Sequence, residues 1–170
     1  MSVERRDIIL EHLKVSGEPI TGSALAEMLG VSRQVIVQDI AVLRAKGNQI
    51  LATSNGYTLP DKPSKGKIIK TIISKHNGIA EMSDELMIIV EYGGKIIDVV
   101  IDHPVYGEIV GLLHISTKEE VDKFIERVKE THAKPLATLT EGDHIHTLEV
   151  PSEKVFMLML KELMDKGYVA

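Results

Sequence analysis

Residues Pro60-Asp-Lys-Pro-Ser-Lys-Gly66 contain two prolines, a glycine and no apolar side chain. Such a run can neither extend a helix or strand nor add to a core, so it divides the chain. Three stretches follow: residues 1–60, a linker at 61–66, and residues 67–170. Each flank is long enough for a compact unit. With 44% apolar and 26% charged residues, the chain reads as an ordinary globular protein, not a disordered tail, a collagen-like repeat or a coiled-coil rod. It has no cysteine, which excludes a disulfide scaffold, a thiolate zinc finger and a cysteine nucleophile. Any metal must be held by His, Asp or Glu. The opening Met1-Ser-Val-Glu-Arg-Arg-Asp-Ile8 alternates charge where a secretory signal would be apolar, and no uncharged apolar run approaches the ~20 residues of a membrane span. A cytoplasmic protein without membrane association is expected.

The net charge of −5 is unevenly distributed. Residues 1–60 carry six Lys/Arg against six Asp/Glu, and residues 61–170 carry fourteen against nineteen, so the acidic excess lies wholly after residue 60. Within the first part, residues 32–48 hold Arg33, Arg44 and Lys46 against Asp39 alone. A neutral unit with one basic stretch can still meet phosphate locally.

Three helical segments precede the linker. The first, at about residues 3–16, has Ile9, Leu10 and Leu13 on one side and stops at Gly17. The second opens at the N-cap Thr21, carries Leu25, Met28 and Leu29, and ends at Gly30. Ser32 then caps a third helix that runs to about Ala45. Two capped helices joined by a tight glycine turn form a helix-turn-helix pattern. Gln49–Ala52 and Tyr57–Leu59 flank Ser54-Asn-Gly56, a hairpin signal that would make a wing.

After the linker, strand-like and helix-like periods alternate. Strands are expected at 68–74, 96–101, 109–115, 135–139 and 144–150, and helices at 79–92, after the Thr117/Glu120 capping box, and after Ser152. This order predicts an α+β sandwich with helices on one face of an antiparallel sheet.

Placed at 100° per residue, the helix over 33–44 has two faces. Val35, Ile36, Ile40, Val42 and Leu43 fall inward, and Arg33, Gln34, Val37, Gln38, Ala41 and Arg44 outward. The outer set has the chemistry of a major-groove reader, because Arg pairs with guanine, Gln with adenine, and Val or Ala packs on a thymine methyl. A solvated face is the ordinary fate of Arg and Gln, but here a capped helix, a glycine turn and a wing accompany them. Arg33, Gln34, Val37, Gln38 and Arg44 are therefore the candidate DNA-binding residues. Asp39 points inward and needs a partner within the domain.

Six of the seven histidines follow the linker. On a strand, His144 and His146 point to the same side about 7 Å apart, close enough to share one metal ion. His76 ends the first strand of this region, and Glu85 lies at the edge of the inner face of the next helix while Asp84 points away. His76, Glu85, His144 and His146 are the candidate ligands of one divalent ion, Zn, Ni or Fe, with positions left open. His103 and Tyr106, in the turn Asp102-His-Pro-Val-Tyr-Gly-Glu108, either satisfy that turn or line a ligand pocket.

The stretch Ser32 to Arg44 with Asn55-Gly-Tyr57 resembles the winged helix-turn-helix of bacterial repressors. The second part looks like the three-histidine regulatory domain often fused to it, through His76, Asp102-His-Pro-Val-Tyr-Gly-Glu-Ile109 and His144-Ile-His146. The resemblance implies a niacin-responsive repressor of NAD biosynthesis or niacin uptake genes, acting as a homodimer on a double-stranded DNA operator with nicotinic acid as corepressor. It places the metal site on His76, Glu85, His144 and His146, with Glu81 or Asp84 as the other carboxylates in range. Two other functions compete: a regulator that senses the metal itself, and a metal-dependent hydrolase of small molecules. The chain has no nucleophile elbow, phosphate loop or His-Glu-x-x-His run to favour the hydrolase, so no enzyme activity is expected.

Overall fold

The computed structural model describes residues 1–60 and 66–170, so the expected linker lies, apart from Gly66, outside the described residues. The chain divides into two compact units, residues 1–62 and 63–170.

The first unit holds α1 (Ser2–Val15), α2 (Gly22–Leu29), α3 (Arg33–Ala45), β1 (Leu51–Thr53) and β2 (Gly56–Thr58). Thr21 Oγ1 accepts the Ala24 N–H at 3.0 Å and Ser32 Oγ accepts the Val35 N–H at 3.3 Å, so both N-caps form. Gly30 takes the left-handed conformation (φ 63°) that lets two helices follow each other with so short a turn. Ile9, Leu13, Leu25, Ile36, Ile40 and Leu43 form the core. One inward assignment needs correction: Val42 is 37% exposed, because it lies at the edge of the buried arc. On α2, Met28 faces solvent while Ala26 takes a core position. The wing forms, with Gly56 required for a reason other than turn chemistry. Its φ is 126°, and a Cβ there would stand 2.5 Å from the Ile20 carbonyl carbon and oxygen. This close approach lets Ile20 and Tyr57 exchange backbone hydrogen bonds of 2.8 and 2.9 Å, which fasten the wing to the entry of α2.

The second unit contains β3 (Ile68–Lys75), α4 (Ile79–Glu91), β4 (Lys95–His103), β5 (Gly107–Ile115), α5 (Lys118–Thr131), a 3₁₀ helix (Leu136–Thr140), β6 (Asp143–Val150) and α6 (Glu153–Asp165). The sheet order is β3-β6-β4-β5, antiparallel throughout. Alternate strand residues such as Ile72, Ile96, Leu113 and Leu148 join residues of all three helices in one core, so the helices share one face of the sheet. The strand expected at 135–139 is a 3₁₀ helix at Leu136–Thr140. Pro135 has no N–H to give a ladder, and the Thr138 hydroxyl donates back to the Pro135 carbonyl at 2.7 Å, closing a turn instead. At α5 the capping box forms as expected.

Candidate functional site

Antiparallel register assembles a cluster that sequence spacing only outlines. His144 and His146 lie two apart on β6, both inward, and His144 pairs across the ladder with Ser74 of β3. His76 follows β3 directly, and its N–H donates to the Gly142 carbonyl at 3.2 Å. From α4, Glu85 comes down among them fully buried. Its Oε2 lies 2.5 Å from His76 Nε2 and 3.4 Å from both His144 Nε2 and His146 Nε2. Ser74 Oγ donates to the other carboxylate oxygen. His76, Glu85 and His144 each offer one ligand atom within 4.8 Å of the others, the geometry of a possible metal triad.

The far sides of two rings are fixed. His144 Nδ1 donates to the Gly142 carbonyl at 2.8 Å, and His146 Nδ1 donates to the Asp98 carbonyl at 2.7 Å. A neutral imidazole that donates through Nδ1 has only a lone pair at Nε2. Both Nε2 lone pairs therefore face the carboxylate of Glu85, acceptor against acceptor, and the arrangement calls for a cation between them. The proton is one such cation. Burial disfavours charge on His146, yet its hydrogen bond and attraction to Glu85 prevail and raise its pKa. Burial likewise pushes Glu85 up, but hydrogen bonds from His144, His146 and His76 outweigh it and hold the carboxyl well below the usual range. A divalent metal is the other cation, and ring nitrogens anchored by backbone carbonyls are the usual support of metal-binding histidines. The donor set, three nitrogens and one carboxylate, suits Zn, Ni or Fe.

The other carboxylates in range do not join the cluster. Asp84 turns outward to the Tyr168 hydroxyl at 2.7 Å and Lys166 Nζ at 2.8 Å. Glu81 lies in the first turn of α4 and is exposed.

Beside the histidines opens a cavity of about 260 Å³, walled by Met82, Leu86, Val99, Phe124, Val128 and Leu136. His76, His144 and His146 supply its polar end, and Lys134 also lines it. Gly111 keeps the wall thin, since a Cβ there would come 3.1 Å from Leu136 Cδ1 and 3.2 Å from Val99 Cγ1. The stripe Val121, Phe124, Ile125, Val128 of α5 thus divides between core and cavity wall. Sequence reasoning missed Ser74, the Gly142 and Asp98 carbonyls, Lys134 and this wall, because each depends on register or helix placement. The left-handed Glu141 and Gly142 (φ 97°) ahead of β6 were the one local sign of a close backbone approach to His76.

His103 and Tyr106 do not line the cavity. His103 Nδ1 accepts the Val105 and Tyr106 N–H groups at 3.2 and 3.3 Å, so the ring closes its own turn. Tyr106 stacks on it at the hairpin tip with 77% exposure. Within their own chain both residues hold the turn together.

On α3, Arg33, Gln34, Gln38, Ala41 and Arg44 are exposed, and Val37 is half-buried. Arg44 Nε donates to the Ile50 carbonyl at 2.8 Å, tying the end of α3 to the approach to the wing. Buried Asp39 is met by Arg5 Nε at 2.6 Å and Arg6 Nη1 at 3.4 Å, so α1 neutralises it from beneath. Its charge does not oppose an anion on the outer face.

Two domain families match. An HTH domain covers residues 5–58, and a 3H domain covers residues 69–170. Among curated proteins, the chain is 44% identical over 166 residues to the probable transcription repressor NiaR of Thermotoga maritima, covering 98% of this chain and 93% of that one. It is 43% identical over 154 residues to the transcription repressor NadR of Bacillus subtilis, covering 90% and 86%. No described helix is long and apolar enough to cross a membrane. Both relatives are named as transcription repressors, and at this identity and coverage the chain, with its HTH domain followed by its 3H domain, belongs to their family.

Proposed function

We infer that the chain represses genes of NAD biosynthesis or niacin uptake, with nicotinic acid as the signal. The observation that carries this reading is the cavity of about 260 Å³ that ends on His76, His144 and His146. It is smaller than the roughly 300–1,000 Å³ of sites for drug-sized ligands, which favours a single small ring. Its apolar walls suit the faces of a pyridine. Bound by His76, Glu85, His144 and His146, a divalent ion would offer an open position to a ring nitrogen or a carboxylate. Lys134 is the cationic group of the wall and suits an acid better than its amide.

The DNA reading rests on the exposed face of α3. Arg33, Gln34 and Gln38 reach bases, Val37 packs at the edge of that face, and Arg44 contacts phosphate through the nitrogens it does not use on Ile50. One winged helix touches too few base pairs for a repressor's affinity, so two copies act on a palindromic site. The acid matters only if it binds the DNA-competent arrangement of the dimer more tightly than the other.

The test is operator binding by the purified protein with and without nicotinate, before and after chelation. The reading predicts a nicotinate response that chelation removes. DNA affinity that follows the metal and ignores nicotinate would replace it with a metal sensor. Arg33→Ala and Gln38→Ala, each weakening operator binding by about 1–3 kcal/mol with the fold intact, would locate the reading face.

A further inference from the structure

Along β4 the residues that face the helices are Ile96, Val99 and Ile101, a spacing of three and then two that regular strand alternation forbids. A bulge accounts for it. Against β6, the single step from Leu148 to Thr147 is matched by two steps of β4, from Ile96 to Asp98, so Ile97 is the extra residue. The register against β5 shifts at the same place, and there His114 takes left-handed backbone (φ 54°), which is uncommon for a residue with a side chain. Strand β4 lies inside the sheet, between β6 and β5. A break there costs ladder pairing, and bulges of this kind re-aim groups beside functional sites.

Two hydrogen bonds identify the group that this bulge re-aims. The Thr147 N–H points toward β4, where an unbroken ladder would offer a backbone carbonyl. Asp98 Oδ1 takes it instead, at 3.0 Å. The Asp98 carbonyl accepts from His146 Nδ1 at 2.7 Å. One residue thus serves two successive residues of β6, Thr147 through its side chain and His146 through its backbone. The carbonyl keeps a proton on Nδ1 and turns Nε2 toward Glu85, 3.4 Å away. The bulge also sets Val99 opposite His146 on the cavity wall, since a one-residue slip would turn Val99 to the other face of the sheet.

We propose that the Asp98 side chain is a positioning residue for His146, a role toward the metal site that rests on the divalent ion proposed above. By holding the Thr147 N–H it keeps the bulge in place, and the bulge fixes the tautomer and direction of the ring. That work needs an acceptor of the right reach and not a negative charge.

The test compares Asp98→Ala with Asp98→Asn, whose amide oxygen can accept the same N–H. Zinc titration of the full chain should show affinity about tenfold weaker for Asp98→Ala and within about threefold of the parent for Asp98→Asn. Nitrogen-15 spectra of the histidine rings give a readout that packing alone would not move. With or without zinc, the His146 Nδ1 proton should exchange slowly in the parent and in Asp98→Asn, and about tenfold faster or more in Asp98→Ala. Asp98→Ala with parental zinc affinity and a parental Nδ1 signal would overturn the role and leave the metal reading standing. Equal weakening by both variants would assign the effect to charge and overturn it too. A parent that takes up no zinc, yet loses its protected Nδ1 proton on Asp98→Ala, would overturn the metal reading and uphold the positioning of His146. If Asp98→Ala does not fold, couplings across hydrogen bonds in the parent decide. They should link Thr147 N to the Asp98 carboxylate carbon and His146 Nδ1 to the Asp98 carbonyl carbon, and absence of either overturns the role.

Discussion

Asp39 and Glu85 are both buried carboxylates, one in each unit, and their surroundings differ in kind. Asp39 is held by Arg5 and Arg6, whose guanidinium charges are permanent. That arrangement joins α1 to α3. Glu85 is held by three imidazoles and Ser74, and the imidazoles can each be neutral or charged. Two of them commit Nδ1 to backbone carbonyls and turn Nε2 toward it, and the cluster opens on a cavity. Burial of a carboxylate therefore does not mark a functional site. What distinguishes Glu85 is its donor set, imidazoles beside a cavity, which suits a proton or the divalent ion proposed above.

The comparison predicts different failures. Asp39→Ala leaves two arginines facing a buried gap and should destabilise the first unit by about 3 kcal/mol, the lower part of the range for breaking a buried pair, since both arginines are partly exposed. Thermal melting of the full chain would measure it; a change below about 1 kcal/mol would show that the pair is not structural. Glu85→Gln preserves shape and should leave the fold standing while weakening zinc binding about a hundredfold, roughly 2.7 kcal/mol. Calorimetric titration with zinc decides this, and unchanged affinity would return Glu85 to the same class as Asp39.

The third contrast is in pH. In the metal-free protein the raised pKa of His146 contributes stability that is fully present below its unfolded pKa and lost as pH rises through its folded one. The lowered pKa of Glu85 contributes stability present above its unfolded pKa and lost as pH falls through its folded one. Chelated protein should thus lose stability as pH rises above about 6.5, the ordinary imidazole value. Metal affinity should move oppositely and weaken as pH falls, because the ion competes with the proton between His146 and Glu85. Melting curves with and without chelator test both signs, and parallel pH profiles would contradict the exchange.

Ser74→Ala gives the smallest effect. Removal of the hydroxyl that orients Glu85 should weaken zinc binding about tenfold. Equal affinity would confine Ser74 to packing.

The two units were also unequally legible in sequence. The helix-turn-helix depends on local signals, and Thr21, Gly30 and Ser32 act where their types foretold. The exposed face of α3 follows from one helix's own period, with only Val42 near the edge misassigned. Gly56 was legible as a turn signal, while its actual need, the approach of Ile20, was not. In the second unit, the common direction of His144 and His146 followed from strand period. Bringing Ser74 opposite His144, and Gly142 against His76, required the β3–β6 register, which no local pattern encodes. The cavity wall is further from sequence still, since it needs α5 and the 3₁₀ helix set against the sheet. His103 and Tyr106 show the converse hazard, a distinctive motif whose visible work is to close its own turn.

The central claim, that the Glu85 cluster exchanges a proton for a metal ion, is tested most directly by elemental analysis of protein purified without an affinity tag, parent beside the His144→Ala/His146→Ala variant. The parent should retain one divalent transition metal per chain and the double variant none, with the fold intact by circular dichroism. Stoichiometric metal in the double variant, or a metal-free parent that takes up no zinc, would contradict the account.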